Sequence, residues 1–211
     1  MWNYFTEFFA AAMAAVLVAG IWKHYGVLEI SAWKRRICFV GVFGIFELAN
    51  ILMGVREMGL GIIGKWELLL ILLMAVAGID HRKRIIPNKI LLAAIVLRSF
   101  IYIPEFMIDQ EGAGMVLIKD ILGAGICFGV LFIICILTKQ QIGAGDVKLF
   151  GVIGYILGIA GAYNTLFYAM LFALVCGMYH MLVHREGRQF KMAFAPFVCL
   201  GCICVLVLKA F

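Results

Sequence analysis

Long apolar runs, broken by short clusters of Lys and Arg, constrain this chain more than any other feature. A helix that crosses a bilayer needs roughly 20 apolar residues. Eight stretches approach that length, beginning at Tyr4, Ile37, Trp66, Asn88, Lys119, Gly145, Tyr163 and Met192. With 65% of its residues hydrophobic and 14% charged, the chain has too little polar surface to cover a water-soluble core. Lipid forces every backbone N–H and C=O to pair internally. The expected fold is therefore all-α: a polytopic transmembrane helix bundle of about eight spanning helices, with the lipid bilayer as its surroundings.

The distribution of charge reads as topology. The formal net charge is +6, but the basic residues fall between apolar spans rather than on one soluble face, so nucleic acid is not an expected partner. Lys23, Lys34, Arg35, Arg36, Arg82, Lys83, Arg84, Lys89, Lys139, Lys148, Arg185, Arg188 and Lys191 share one side. Arg56, Lys65, Lys119 and Lys209 fall on the other. The positive-inside rule makes the first side cytoplasmic and puts both termini outside, in the cell's inner or plasma membrane. Pro104 to Lys119, with Glu105, Asp109 and Glu111, becomes the main external loop.

No Lys or Arg precedes the first apolar span, and no polar stretch follows a small-residue cleavage site, so it is expected to be a helix rather than a secretion signal. The seven cysteines all lie in apolar spans and leave one over from complete pairing; packing residues are expected. No Pro, Gly or Ser-rich linker and no repeat divides the chain, and a single integrated membrane domain follows. Gly123, Gly125 and Gly129, and then Gly151, Gly154 and Gly158, mark spans that can approach closely. Chemistry on such a scaffold has to be built at helix ends.

Two acidic elements stand out. Asp80 ends the apolar run Leu68 to Ile79 and precedes His81, Arg82, Lys83 and Arg84, then Ile85, Ile86, Pro87 and Asn88. It could merely terminate a helix, but Pro87 and Asn88 set a defined turn before the next span. Asp146 follows Gln141, Ile142, Gly143, Ala144 and Gly145 and precedes Val147 and Lys148. An N-cap would explain Asp146 alone. It does not explain Gly143 and Gly145, which remove bulk where another backbone would pass close to the carboxylate. Although 66 residues apart in sequence, both aspartates are expected at the same inner depth. Two carboxylates brought together there share a proton. One can then deprotonate a water that attacks a peptide carbonyl while the other polarises that carbonyl, as in an aspartic protease.

On these residues the chain resembles the type IV prepilin peptidase family. The resemblance rests on Gly143, Ala144, Gly145, Asp146, Val147 and Lys148, on Asp80 with Ile86, Pro87 and Asn88, and on Ala193, Phe194, Ala195, Pro196, Phe197 and Gly201. It covers about Trp66 to Leu208, and the acidic motif is similar, more distantly, to that of presenilin-type proteases. It implies a catalytic dyad of Asp80 and Asp146 supported by Gly143, Gly145, Lys148, Pro87 and Asn88. It also implies cleavage, at the cytoplasmic face, of the short basic leader of type IV prepilins or pseudopilins, proteins whose leader ends in glycine and continues as a hydrophobic helix. Pilus assembly and protein secretion are the implied settings.

Larger members of that family carry two CxxC pairs in a zinc-binding insert between their first two helices, associated with N-methylation. The corresponding segment here, Lys23 to Arg36, is short and lacks cysteine. The expectation is cleavage without methyl transfer, no metal and no cofactor. Residues 1–65 are then accessory helices and 66–211 the catalytic membrane core.

The remaining polar residues have structural readings. Glu47 and Asn50 share a helix face and suit interhelical hydrogen bonding. Arg98 pairs with an external acid or snorkels. His180 and His184 lack an accompanying acid or cysteine for a metal. Lys148 either steers an anionic group or anchors the inner face. Two rival functions remain open: an ion-coupled transporter, whose acids belong near mid-membrane, and an inactive relative serving as an assembly component.

Overall fold

A computed structural model describes residues 4–27, 32–55, 60–138, 143–184 and 192–208. Of the charges and motif residues used for topology, Arg56, Lys139, Gln141, Ile142, Arg185, Arg188, Lys191 and Lys209 lie outside the described residues. Among the described residues the fold is all-α, in seven helices: α1 Tyr4–His24, α2 Ala32–Val55, α3 Leu60–Lys83, α4 Asn88–Ile108, α5 Gln110–Leu137, α6 Ala144–His184 and α7 Ala195–Leu208. Four of these contain segments long and apolar enough to cross a membrane, at Gly61–Lys83, Asn88–Ile108, Gln110–Leu137 and Ala144–Leu182. Ala10–His24 and Ala195–Leu208 are shorter apolar helices.

Helix α3 is the axis of the bundle. Leu69, Leu70, Leu73, Ala75 and Val76 have no exposed surface, and α1, α4, α6 and α7 all pack on this helix. The outward faces are apolar too, as a lipid-facing surface requires: Leu92, Phe100, Ile118, Ile133, Leu174 and Met181 are exposed.

The expected sixth and seventh spans form one element, α6, bent at Gly158. That residue has φ 71° and ψ −179°, a conformation open essentially to glycine alone. The bend folds the second limb back along the first. Leu166 borders the same cavity as Phe150, and Met170 the same cavity as Asp146. Both pairs are placed symmetrically about Gly158. The first limb, residues 144–157, extends only about 21 Å at 1.5 Å per residue, short of a roughly 30 Å hydrocarbon core. Helix α5 lies against it at backbone distance. A Cβ on Gly123 would stand 2.6 Å from the Gly154 carbonyl oxygen and 2.9 Å from Gly158 Cα, so only a glycine at position 123 permits the crossing.

The expected external loop from Pro104 to Lys119 is helical. Only Asp109 interrupts the chain there. Its N–H closes α4 on Glu105 O at 3.0 Å, and its side chain caps α5 by accepting from Gly112 N–H at 3.0 Å. The third span likewise begins at Leu60 rather than Trp66.

Candidate active site

The two acidic motifs meet at one end of the bundle. Asp80 sits in the last turn of α3, which continues to Lys83 and ends at Arg84, a non-glycine residue at φ 54°. The chain then passes through Ile85 and Ile86 to Pro87, which occupies the N-cap position of α4 with φ −72° and ψ 121°. The Pro-Asn turn read from sequence is therefore the start of α4. Asp146 is the third residue of α6 and does not occupy the N-cap position. That position belongs to Gly143, whose carbonyl accepts from Asp146 N–H at 3.0 Å and Val147 N–H at 3.3 Å.

The glycines beside Asp146 admit side chains, rather than the passing backbone expected. A Cβ on Gly143 would lie 2.9 Å from Asp146 Oδ2, so this glycine makes room for the carboxylate itself. A Cβ on Gly145 would lie 3.1 Å from Ile86 Cβ. The motif around Asp146 is thereby fitted to the segment that follows Asp80. A second link is the hydrogen bond from Lys148 Nζ to Asn88 Oδ1 at 3.2 Å. Lys148 is thus engaged with the start of α4.

A third element completes the site. Ala195, the first residue of α7, donates its N–H to Asp80 Oδ2 at 3.0 Å, and Asp80 is 7% exposed. The preceding residue, Phe194, packs on Phe150 with ring centroids 6.2 Å apart. Phe194 also borders a cavity of about 400 Å³ with Leu131, Ile134, Gly143, Asp146, Phe150, Leu166, Met170 and Met192. Asp146 is half-buried in that cavity and lies within electrostatic reach of Asp80. Among the described residues, neither aspartate forms a salt bridge.

Two features near or beyond the site were foreseen from sequence only in part or not at all. Trp22 of α1 donates its indole N–H to Met74 O at 3.2 Å and Ala75 O at 3.1 Å. It lies over Gly78, where any Cβ would collide with the indole ring. Arg82 donates to Gly26 O and Val27 O, both at 2.8 Å. Together these contacts pin α1 to the end of α3 that carries Asp80.

The second feature is a charged cluster at the other end of the bundle. Arg98, fully buried, reaches Asp120 at 3.0 Å and Glu105 at 3.3 Å. Asp120 also accepts from Tyr102 at 2.8 Å and Lys65 at 3.3 Å, and the Arg98 guanidinium stacks 3.8 Å from the Tyr102 ring centroid. Arg98 accordingly pairs with acids instead of snorkelling. The available signal was Asp120 itself, an acid inside an apolar run.

Of the other residues weighed, Asn50 is buried, and one carboxylate oxygen of Glu47 is buried without a hydrogen-bond partner among the described residues. The His184 side chain lies outside the described residues. All seven cysteines are free.

The fold and site define a polytopic helical membrane protein that gathers two acidic side chains at one end of its bundle. The sequence model of the type IV leader peptidase family matches residues 68–178. The chain belongs to that family, and the matched residues contain both Asp80 and Asp146. It is 32% identical over 134 residues to a prepilin leader peptidase/N-methyltransferase of Bacillus subtilis (strain 168), an alignment covering 63% of this chain and 50% of that protein. The chain therefore spans about half the length of this curated relative. No solved structure matches it.

Proposed function

We propose that this protein is a membrane-embedded aspartic endopeptidase that removes the basic leader of type IV prepilins or pseudopilins at the cytoplasmic face. Asp80 and Asp146 are its dyad. The observation that supports this reading is the meeting of the two acidic motifs: Ile86 fits over Gly145, Lys148 donates to Asn88, and Asp146 lies within electrostatic reach of Asp80, with no salt bridge to either among the described residues.

The hydrogen bonding suggests how the dyad divides its work. Asp80 Oδ2 already accepts the Ala195 N–H at the amino terminus of α7, an environment suited to an acceptor. Asp80 is therefore assigned as the base. It takes a proton from a water molecule, whose oxygen bonds to the scissile carbonyl carbon. Asp146, in its acid form, donates to the carbonyl oxygen as the tetrahedral intermediate forms. Collapse of that intermediate breaks the C–N bond: the proton taken by Asp80 passes to the leaving amine, and one hydroxyl of the intermediate returns its proton to Asp146 as the C=O bond re-forms. The cavity beside Asp146 is the place for the extended substrate backbone.

Residues 66–211 are proposed as the catalytic core and residues 1–65 as accessory helices, with α1 bracing α3 through Trp22 and Arg82. Methyl transfer is not part of the proposed activity, because the segment between α1 and α2 lacks cysteine. Co-expression of a prepilin with Asp80→Asn or Asp146→Asn tests the function. Each variant is expected to leave the leader in place, and leader removal by either would overturn the proposal.

A further inference from the structure

A groove on the outer face of the bundle lies on the other side of α6 from the aspartate cavity. It has a volume of about 710 Å³ and runs between α4, α5 and α6. Leu91, Leu92, Ile95, Phe128 and Val152 make its walls apolar. Two hydrogen bonds bridge α4 and α6 along it: Lys148 Nζ donates to Asn88 Oδ1 at 3.2 Å, and the Ser99 and Tyr155 hydroxyls bond at 3.0 Å. From Lys148 to Tyr155 the groove extends about 10 Å along α6 at 1.5 Å per residue.

Its charge is confined to one end. Lys89 and Lys148 both border the mouth and both are exposed, and among the described residues no acidic side chain lines the groove. Lys89 has no protein partner among the described residues. Lys148 uses one N–H on Asn88, an uncharged acceptor. An apolar channel between membrane helices that opens at two unneutralised ammonium groups matches an amphiphile with an anionic head and a hydrocarbon tail. A neutral or cationic head would leave both lysines uncompensated, and a basic peptide would be repelled.

We propose that this groove is a binding site for one anionic phospholipid, its phosphate on Lys89 and Lys148 and the upper part of one acyl chain along α4, α5 and α6. Lys148 lies two residues from Asp146, so the bound lipid would brace the start of the helix that carries this aspartate.

Native mass spectrometry of the detergent-solubilised full chain, titrated with phosphatidylglycerol or phosphatidylcholine, tests the site. The wild-type chain is expected to hold one phosphatidylglycerol about 30-fold more tightly than phosphatidylcholine, the preference two membrane-surface lysines confer. Lys89→Gln with Lys148→Gln should abolish that preference, and Lys89→Arg with Lys148→Arg should keep it. Gly125→Leu provides a test that leaves both lysines in place. Gly125 lines the groove and a Cβ there meets no atom within 4 Å, so the added side chain should take up groove space and reduce retention of both lipids. Equal retention of the two lipids by the wild-type chain would overturn the proposal. So would unchanged phosphatidylglycerol binding in the glutamine pair or in Gly125→Leu, and so would displacement of the lipid by inorganic phosphate alone.

Discussion

The two ends of this bundle set the same side chain in opposite surroundings. At one end, Asp120 is enclosed by Arg98, Lys65 and Tyr102, and Glu105 shares Arg98. At the other, Asp80 and Asp146 face each other's charge with a backbone N–H on one and a cavity beside the other. Lys65 and Asp80 belong to the same helix, about 22 Å apart along its axis at 1.5 Å per residue. What separates the two regions is compensation. A carboxylate surrounded by cations and donors ties helices together. A pair of carboxylates held close without cations is the arrangement that the proposed acid–base chemistry requires.

This contrast can be broken at either end. The largest stability effect is expected at the paired end. Arg98→Ala leaves buried Asp120 and half-buried Glu105 with one cation fewer, and should cost about 3–5 kcal/mol, the usual loss when one partner of a buried ion pair is removed. Unfolding in detergent would measure it, and the fraction still folded should keep its cleavage rate. At the aspartate end the effects fall on rate. Gly143→Ala places a Cβ against Asp146 Oδ2 and should slow leader cleavage by up to about 10²-fold, as a misplaced reacting group does, with little change in unfolding.

A smaller loss is expected at the brace between α1 and α3. Trp22→Ala removes two hydrogen bonds to α3 and a half-buried aromatic ring, and should cost about 1–3 kcal/mol. Its rate should fall too if α1 positions Asp80, whereas an unchanged rate would confine α1 to stability. Asn88→Ala is the smallest. It removes an exposed hydrogen bond to Lys148, and unfolding should shift by no more than about 0.5 kcal/mol.

The helical class and the membrane setting were legible in the sequence because apolar run length is a one-dimensional signal. The boundaries were less so. Gly158 was visible as a small packing residue, but its positive φ depends on how α5 fits against both limbs of α6. Pro104 to Lys119 was read as a loop on its charges, yet those charges are used internally, with Glu105 turned back to Arg98 and Asp109 capping α5. Asp80, Asp146 and the flanking glycines could be named from motif spacing. The occupants of those glycine positions, Ile86 and the Asp146 carboxylate, could not, because they are set by contact between segments distant in sequence. Asp120 and Trp22 passed unnoticed for the same reason: their partners come from other helices.

The central claim is that Asp80 and Asp146 act as one unit. A cleavage assay on purified full-length protein in lipid, with a prepilin leader and its first helix as substrate, compares the wild type, Asp80→Asn, Asp146→Asn and the double variant. Each single change should reduce the rate by about 10³-fold or more, and the double variant should be no slower than the worse single one. Near-wild-type cleavage by either single variant, or a double variant whose loss is the product of the two, would contradict a shared dyad.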